Sequence, residues 1–383
     1  MTGFSFQSVP KVLCEDGASG SIATYVQMIT AGKSVLLVTD KMLRSLGILN
    51  PALNSLDQAG YKVAIFDDVV ADPPDTTVLA AVDVAKTIKA DCIIGFGGGS
   101  SMDVAKLVAV LTNSNQHLGD IYGIGNIQGG RLPLMQVPTT SGTGSEVTPI
   151  SIVTTGETTK MGVSDPALYC DLALLDATLT LGLPRAATAA TAIDAMVHAI
   201  EAYTSKHKKN PLSDALAVKA LRMIGCALLD VCEDGSNLKG RRDLLIGAML
   251  AGSAFANAPV AAVHALAYPI GGHFHVAHGL SNSLVLTHVL SFNMPSAEIY
   301  YAELAHEVGL EASTQAGRAD AFATWLADLS AATGIEQRLR DVGIKAQDIE
   351  MLATDAMNQE RLLINNPREV TLEDARRIYE AAW

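Results

Sequence analysis

The chain has 383 residues, 49% of them apolar and 17% charged, with 32 glycines and 14 prolines. That balance excludes a disordered or collagen-like chain, and the length is enough for roughly two to three domains with a sizeable core. With 27 Lys and Arg against 40 Asp and Glu the formal net charge is −13, and no basic run longer than Lys206, Lys208 and Lys209 offsets it; such a surface repels phosphate backbones, so nucleic acid is not expected as a partner.

Along the first half, short apolar runs alternate with stretches of helical spacing. Residues 33–39 read as a buried strand followed by a helical stretch to about Asn50, residues 61–66 as a strand, 75–89 as a helix, 92–96 as a strand and 100–111 as a helix. Further strands are expected at 134–137, 150–154 and 173–175. Strands alternating with helices of this length imply crossover units and a parallel sheet covered on both faces. After Leu183-Pro184 the sequence becomes Ala- and Leu-rich, with helical periodicity over 187–204, 213–232, 241–255, 319–333 and 372–382. The expected architecture is an α/β domain over residues 1–183 and an all-α domain over residues 184–383.

Residues 244–297 contain no Asp, Glu, Lys or Arg, and the first part of this stretch has about the length of a bilayer span. Its Ala, Gly and Ser content, the break at Asn257 and Pro259, and the histidines that follow favour a buried helical core over a membrane segment. The five cysteines (Cys14, Cys92, Cys170, Cys226, Cys232) form no C-x-x-C pair, and the N-terminus has neither a charged nor an apolar leader region. The protein is expected to be cytoplasmic, with buried thiols.

Three motifs bear on chemistry. Gly97-Gly98-Gly99-Ser100, with Asp103 after it, stands between an apolar strand and a helix start. Such a turn presents backbone N–H groups and the positive end of a helix to an anion, so it suits a pyrophosphate, although a tight capped turn would look similar. No G-x-G-x-x-G follows the first strand, where Asp40 stands instead. A carboxylate at that strand end suits a free ribose 2′-hydroxyl, which favours NAD over NADP; the same position equally suits a helix N-cap. The loop Pro138-Thr139-Thr140-Ser141-Gly142-Thr143-Gly144-Ser145-Glu146 is rich in hydroxyls and fits either a nucleotide-lining segment or a surface loop.

The third motif is Asp194-Ala195-Met196-Val197-His198, a carboxylate and an imidazole at i and i+4 on one helical face. Spacing alone allows a hydrogen-bonded pair. Five of the nine histidines (His264, His273, His275, His278, His288) follow within 25 residues in the charge-free segment, however, and a divalent cation shared by Asp194, His198 and two of them would satisfy several buried imidazoles at once. His117, His288 and His306 are expected to be ordinary structural histidines.

Taken in order, the glycine run with Asp103, the 138–146 loop, the stretch Asp176…Pro184…Asp194…His198…Glu201, and His264…Tyr268-Pro269…Gly271-Gly272…His278-Gly279 resemble the iron-containing (group III) alcohol dehydrogenases over essentially the whole chain. The resemblance implies a dehydroquinate synthase-like architecture, with an N-terminal dinucleotide-binding α/β domain and an all-α C-terminal domain. It implies one divalent metal, Fe(II) favoured and Zn(II) the alternative, on Asp194, His198, His264 and His278. Cofactor contacts would map onto Asp40, Gly97, Gly98, Gly99, Ser100, Asp103, Thr139, Thr140, Thr143, Lys160 and Leu179, with Leu183 nearby. Where many members carry a proton-relay histidine this chain has Tyr268, so catalytic roles fall to His278 and Tyr268, with His275 or His273 as substitutes for the relay. The family's Pro before the fourth ligand is Ala277, and its Asn-Pro-Thr is Asp72-Pro73-Pro74.

The implied activity is NAD-linked hydride transfer between nicotinamide and a small alcohol or aldehyde, in a homodimer or larger homo-oligomer. Hydroxyacid-oxoacid transhydrogenase and maleylacetate reductase chemistry are the alternatives on the same fold. Maleylacetate reductases tend to lack the Asp/His set present here.

Overall fold

The computed structural model describes residues 3–156 and 159–383, which form two compact units. One comprises Ser8–Thr140 and Gly144–Gly182; the other comprises Met1–Gln7, Ser141–Thr143 and Leu183–Trp383.

The first unit is built on a six-stranded parallel sheet. Its strands are β1 (Val12–Cys14), β2 (Ser34–Val38), β3 (Lys62–Phe66), β4 (Cys92–Gly97), β6 (Leu134–Pro138) and β9 (Leu172–Leu175), in the order β1-β9-β6-β4-β2-β3. Every residue of β4, β6 and β9 is buried, which is why these segments read as unbroken apolar runs rather than alternating ones. The chain moves outward from β2 to β3 and then returns to lay β4 on the other side of β2. That reversal makes the carboxyl ends of β2 and β4 a topological switch point, the place where open α/β sheets bind ligands.

Residues 150–154 do form a strand, but not in this sheet. β7 (Ile150–Thr155) pairs antiparallel with β8 (Thr159–Ser164), and β5 (Gly123–Ile124) adds to β8 in a separate three-stranded sheet. β8 carries a single fully buried residue, so it has no apolar signature. The helical stretch expected up to about Asn50 is two helices, Lys41–Ser45 and Asn50–Gln58; Pro51 sits in the first turn of the second, where its missing N–H costs nothing.

The second unit is all helical among its described residues. Arg185–Tyr203 runs through its middle, buried at every position from Ala192 to Tyr203, and packs against the helices Pro211–Glu233, Leu238–Phe255 and His278–Glu307. Polar caps start the outer helices: the side chains of Asn210, Asn237 and Thr314 accept from the N–H groups of Ser213, Gly240 and Gly317, each worth about 1 kcal/mol. The charge-free stretch becomes the end of Leu238–Phe255, the helix Ala262–Phe274 and most of the 30-residue helix His278–Glu307. No helix among the described residues is long and apolar enough to cross a membrane. Cys92, Cys170 and Cys232 are buried, whereas Cys14 and Cys226 are exposed. This corrects the expectation for those two: one lies on the edge strand β1 and the other on Pro211–Glu233.

Candidate active site

Three helices of the second unit bring four ligand-type side chains together. Asp194 and His198 project from one face of Arg185–Tyr203, His264 from the first turn of Ala262–Phe274, and His278 from the first residue of His278–Glu307. Their ligand atoms all lie within 4.8 Å of one another. The Nε2 atoms of His278, His264 and His198 stand 3.6, 3.7 and 3.9 Å from the same oxygen, Asp194 Oδ1. Ligands of a tetrahedral ion at ordinary Zn–N and Zn–O bond lengths are about 3.4 Å apart, so the set fits a single divalent cation with little adjustment.

Close backbone packing makes this possible. A Cβ on Gly279 would fall 2.3 Å from the carbonyl oxygen of Ala190 and 3.3 Å from Asp194 Cβ, so only glycine lets the start of His278–Glu307 press onto the Asp194 helix. The rings also order one another: His198 stacks between Phe255 (centroids 4.3 Å apart) and His264 (4.7 Å).

Protonation follows from the surroundings. Burial pushes the His198 imidazole down to about 3, leaving it neutral and able to offer a lone pair at neutral pH. Burial alone would push the Asp194 carboxyl up, but the imidazoles of His198, His278 and His264 and the amide of Asn282 outweigh it and hold the group below its usual range. His264 Nδ1 donates to Glu201 Oε2 at 2.7 Å while Glu201 Oε1 accepts from Val263 N–H at 2.7 Å. Glu201 thereby caps the His264 helix and fixes the tautomer that turns Nε2 toward Asp194. The sequence motif includes Glu201 without assigning it a role. The signal for one is its place seven residues after Asp194 and three after His198, on the same helical face.

The other anticipated catalytic groups are distributed unevenly. Tyr268, one turn after His264, has its ring 5.9 Å from that of His278. His275 is exposed and ends its helix in the left-handed conformation, φ 55°, and is not among the four converging side chains. His273 pairs with Asp355 at 2.8 Å in an exposed position.

In the sheet unit, the switch point carries the glycine turn. Gly97 has φ 157°, where a Cβ would meet Ser101 at 2.7 Å. Gly98 is the N-cap of Gly99–Leu111 with no side chain closing it. A Cβ on Gly98 would come no nearer than 3.7 Å to anything, the nearest atoms being those of Thr140. The first-turn N–H groups, including those of Gly99 and Ser100, lack intrahelical partners, the arrangement that lets a helix N-terminus receive an anion. Thr139 joins the same turn, donating its N–H to Gly97 O at 3.0 Å. The 138–146 loop is largely buried, which overturns its reading as a surface loop. Ser141–Thr143, Thr143 included, belong to the helical unit.

Asp40 follows β2 and caps the next helix, accepting from Leu43 N–H at 2.9 Å. Lys160 is held by Asp72 at 2.6 Å and by Thr154 Oγ1 at 3.1 Å. Leu179 lies in the apolar core of the sheet unit, 8% exposed. Asp103 has both carboxylate oxygens engaged, by Ser145 Oγ and Lys106 Nζ on one and by Ile152 N–H on the other.

A parallel sheet with a glycine turn at its switch point, and a helical unit with a three-imidazole, one-carboxylate cluster, form a framework whose class is given by the proteins it resembles. The pattern described as iron-containing alcohol dehydrogenase matches residues 10–177, and that described as Fe-containing alcohol dehydrogenase family, C-terminal, matches residues 188–383. The chain is 41% identical over 381 residues to long-chain-alcohol dehydrogenase 1 of Geobacillus thermodenitrificans (strain NG80-2), covering 96% of this chain and 93% of that one. It is 32% identical over 369 residues to the NAD-dependent methanol dehydrogenase of Bacillus methanolicus, covering 96% of each. The solved structure of a 1,3-propanediol oxidoreductase superposes with a TM-score of 0.96 at 33% identity, over 100% of both chains. The protein belongs to the iron-containing alcohol dehydrogenase family and is an alcohol dehydrogenase of that type.

Proposed function

We propose that the enzyme interconverts a small, uncharged alcohol and its aldehyde, with NAD as hydride carrier and a divalent cation, Fe(II) favoured over Zn(II), on Asp194, His198, His264 and His278. The observation that carries this reading is the convergence of three imidazole Nε2 atoms on one oxygen of Asp194. A relative that is named an NAD-dependent methanol dehydrogenase supports both the cofactor and a small substrate. Asp40 at the end of β2 supports NAD as well, since a capping carboxylate retains lone pairs for a ribose hydroxyl and repels a 2′-phosphate.

A divalent cation held by Asp194, His198, His264 and His278 would supply Lewis acidity toward an alcohol oxygen, and a nicotinamide cofactor would supply the hydride acceptor. The chain's own groups do the rest. Asp194 is the only carboxylate among the four ligands, so a divalent cation held there would keep a net positive charge toward the substrate oxygen. Glu201 keeps the His264 lone pair aimed inward. Phe255, stacked on His198, excludes water from that side. His278 has the most exposed side chain of the four, at 38%, and Tyr268 lies beside it, so we assign proton exit to the Tyr268 hydroxyl on that side. Gly98, Gly99, Ser100, Thr139 and Thr140 hold the phosphates and ribose.

The test is metal analysis of purified protein combined with an alcohol panel followed by NADH absorbance. One tightly bound divalent ion and NAD reduction with short alcohols are expected. Undiminished turnover after complete chelation would refute the Lewis-acid role.

A further inference from the structure

We infer that Asn282 is a positioning residue for the four-ligand set, an inference that rests on the metal-binding reading above. Asn282 lies one turn after His278 on the same helix and is wholly buried. Its Nδ2 donates to Asp194 Oδ1 at 2.6 Å and stands 3.3 Å from Nε2 of His264 and 3.3 Å from Nε2 of His278. One amide therefore touches ligand atoms from all three helices that build the site. The carboxylate decides which end of the amide faces inward, because an amide oxygen at that distance from Asp194 would be repelled. The outward end is buried and has no hydrogen-bond partner. The side chain's hydrogen bonds to protein groups therefore all come from its N–H edge.

That edge has two protons and faces three acceptors. It orients Asp194 by a short charge-assisted bond, and its second proton favours a lone pair on Nε2 of His264 or of His278, the state in which imidazole binds a metal. Glu201 imposes the same tautomer on His264 from the other side of the ring. Asn282 thus pre-orders the carboxylate and the imidazole edge beside it, and its loss should be felt in cation affinity.

The experiment uses the full chain with Co(II), whose visible bands report ligand geometry. Asn282→Ala and the near-isosteric Asn282→Leu should weaken Co(II) binding, measured by chelator competition, by about 10- to 100-fold and should alter the Co(II) spectrum. Ser281→Ala, at an equally buried neighbour whose hydroxyl bonds only backbone carbonyls, should stay within about twofold of wild type. A purely structural role for Asn282 would lower the melting temperature in chelator while leaving affinity and spectrum unchanged; that result, or tighter binding by the variants, overturns the inference. If neither Asn282 variant folds, a crystal structure of the Co(II)-loaded wild type decides, since an amide found beyond hydrogen-bond range of Asp194 sinks the proposal and one within range sustains it. Failure of the wild type itself to bind Co(II) would instead remove the metal-binding reading beneath it.

Discussion

Each unit of this protein buries a knot of charged and polar side chains, and the two differ in how donors and acceptors balance. In the sheet unit, Lys106 is fully buried with its three ammonium protons spread over Ile150 O at 2.6 Å, Ser145 Oγ at 2.8 Å, Thr148 Oγ1 at 3.2 Å and Asp103 Oδ1 at 3.4 Å. The second oxygen of Asp103 accepts from Ile152 N–H at 2.9 Å. Donors and acceptors close on themselves there, and the knot ties the helix after the glycine turn to the polar loop and to β7. In the helical unit, two imidazoles and a carboxylate face one amide, and a third imidazole, that of His198, stands beside them. Acceptors outnumber donors, an imbalance that a cation would redress in the proposed function. A closed knot is a brace and an acceptor-rich one is a ligand site, although both are spelled with the same residue types.

Removing an acceptor from the open knot should have the largest effect. Asp194→Ala is expected to lower kcat/KM by about 4 kcal/mol of transition-state stabilisation, or roughly 10³-fold, and to abolish stoichiometric metal binding. Steady-state kinetics and metal analysis on the same preparation check both; turnover within about tenfold of wild type would break the comparison. The closed knot should answer in stability instead. Lys106→Met leaves Asp103 without its buried cation and should cost about 3–5 kcal/mol in denaturant unfolding, with Co(II) affinity unaltered. Glu201→Gln keeps an acceptor beside His264 but removes its charge, and a loss of roughly 10-fold in metal affinity is expected. An unchanged affinity would mean that Val263 capping, rather than the imidazole, accounts for the Glu201 carboxylate.

Burial and chain separation decide which of these features are legible in the amino-acid sequence. The central strands are legible because β4, β6 and β9 are buried on both faces; β8, with one buried residue, and the three-residue β1, with none, are not. Asp194 and His198 are legible because both sit on one helix at i and i+4. His264 and His278 come only with the family resemblance, since spacing does not distinguish them from His273 or His275. Glu201 shares a helical face with Asp194 and His198, and Asn282 lies one turn after His278, but nothing local points to His264 for the one or Asp194 for the other, 63 and 88 residues away. Asp40 shows the opposite limit: a cap and a ribose ligand ask for the same carboxylate at the same strand end, and the structure displays the cap. Asp103 reads as a cofactor contact because it follows the glycine turn, yet donors from Lys106, β7 and the 138–146 loop already occupy it.

The two knots should also part company in pH, with opposite signs. Burial pushes the Glu146 carboxyl up to about 7, an effect that its own backbone N–H and Lys106 only partly oppose. An acid whose folded value is raised binds its proton more tightly in the native chain, so the stability it contributes is complete below its unfolded value of 4.5 and disappears as pH rises through about 7. His198, pushed down to about 3, behaves in the reverse sense: its contribution is present above 6.5 and is lost as pH falls toward 3. In chelator, where bound metal cannot mask the imidazole, the two effects oppose each other between pH 4.5 and 6.5, so stability should be flat there and fall below 4.5 and again as pH rises from 6.5 through about 7. The alkaline limb is the smaller effect, about 1 kcal/mol between roughly pH 6 and pH 8. Glu146→Gln cannot ionise and should flatten that limb while leaving the acid limb intact. Urea unfolding across the pH range separates the two, and an alkaline limb that persists in Glu146→Gln would show that another group in the sheet unit titrates there.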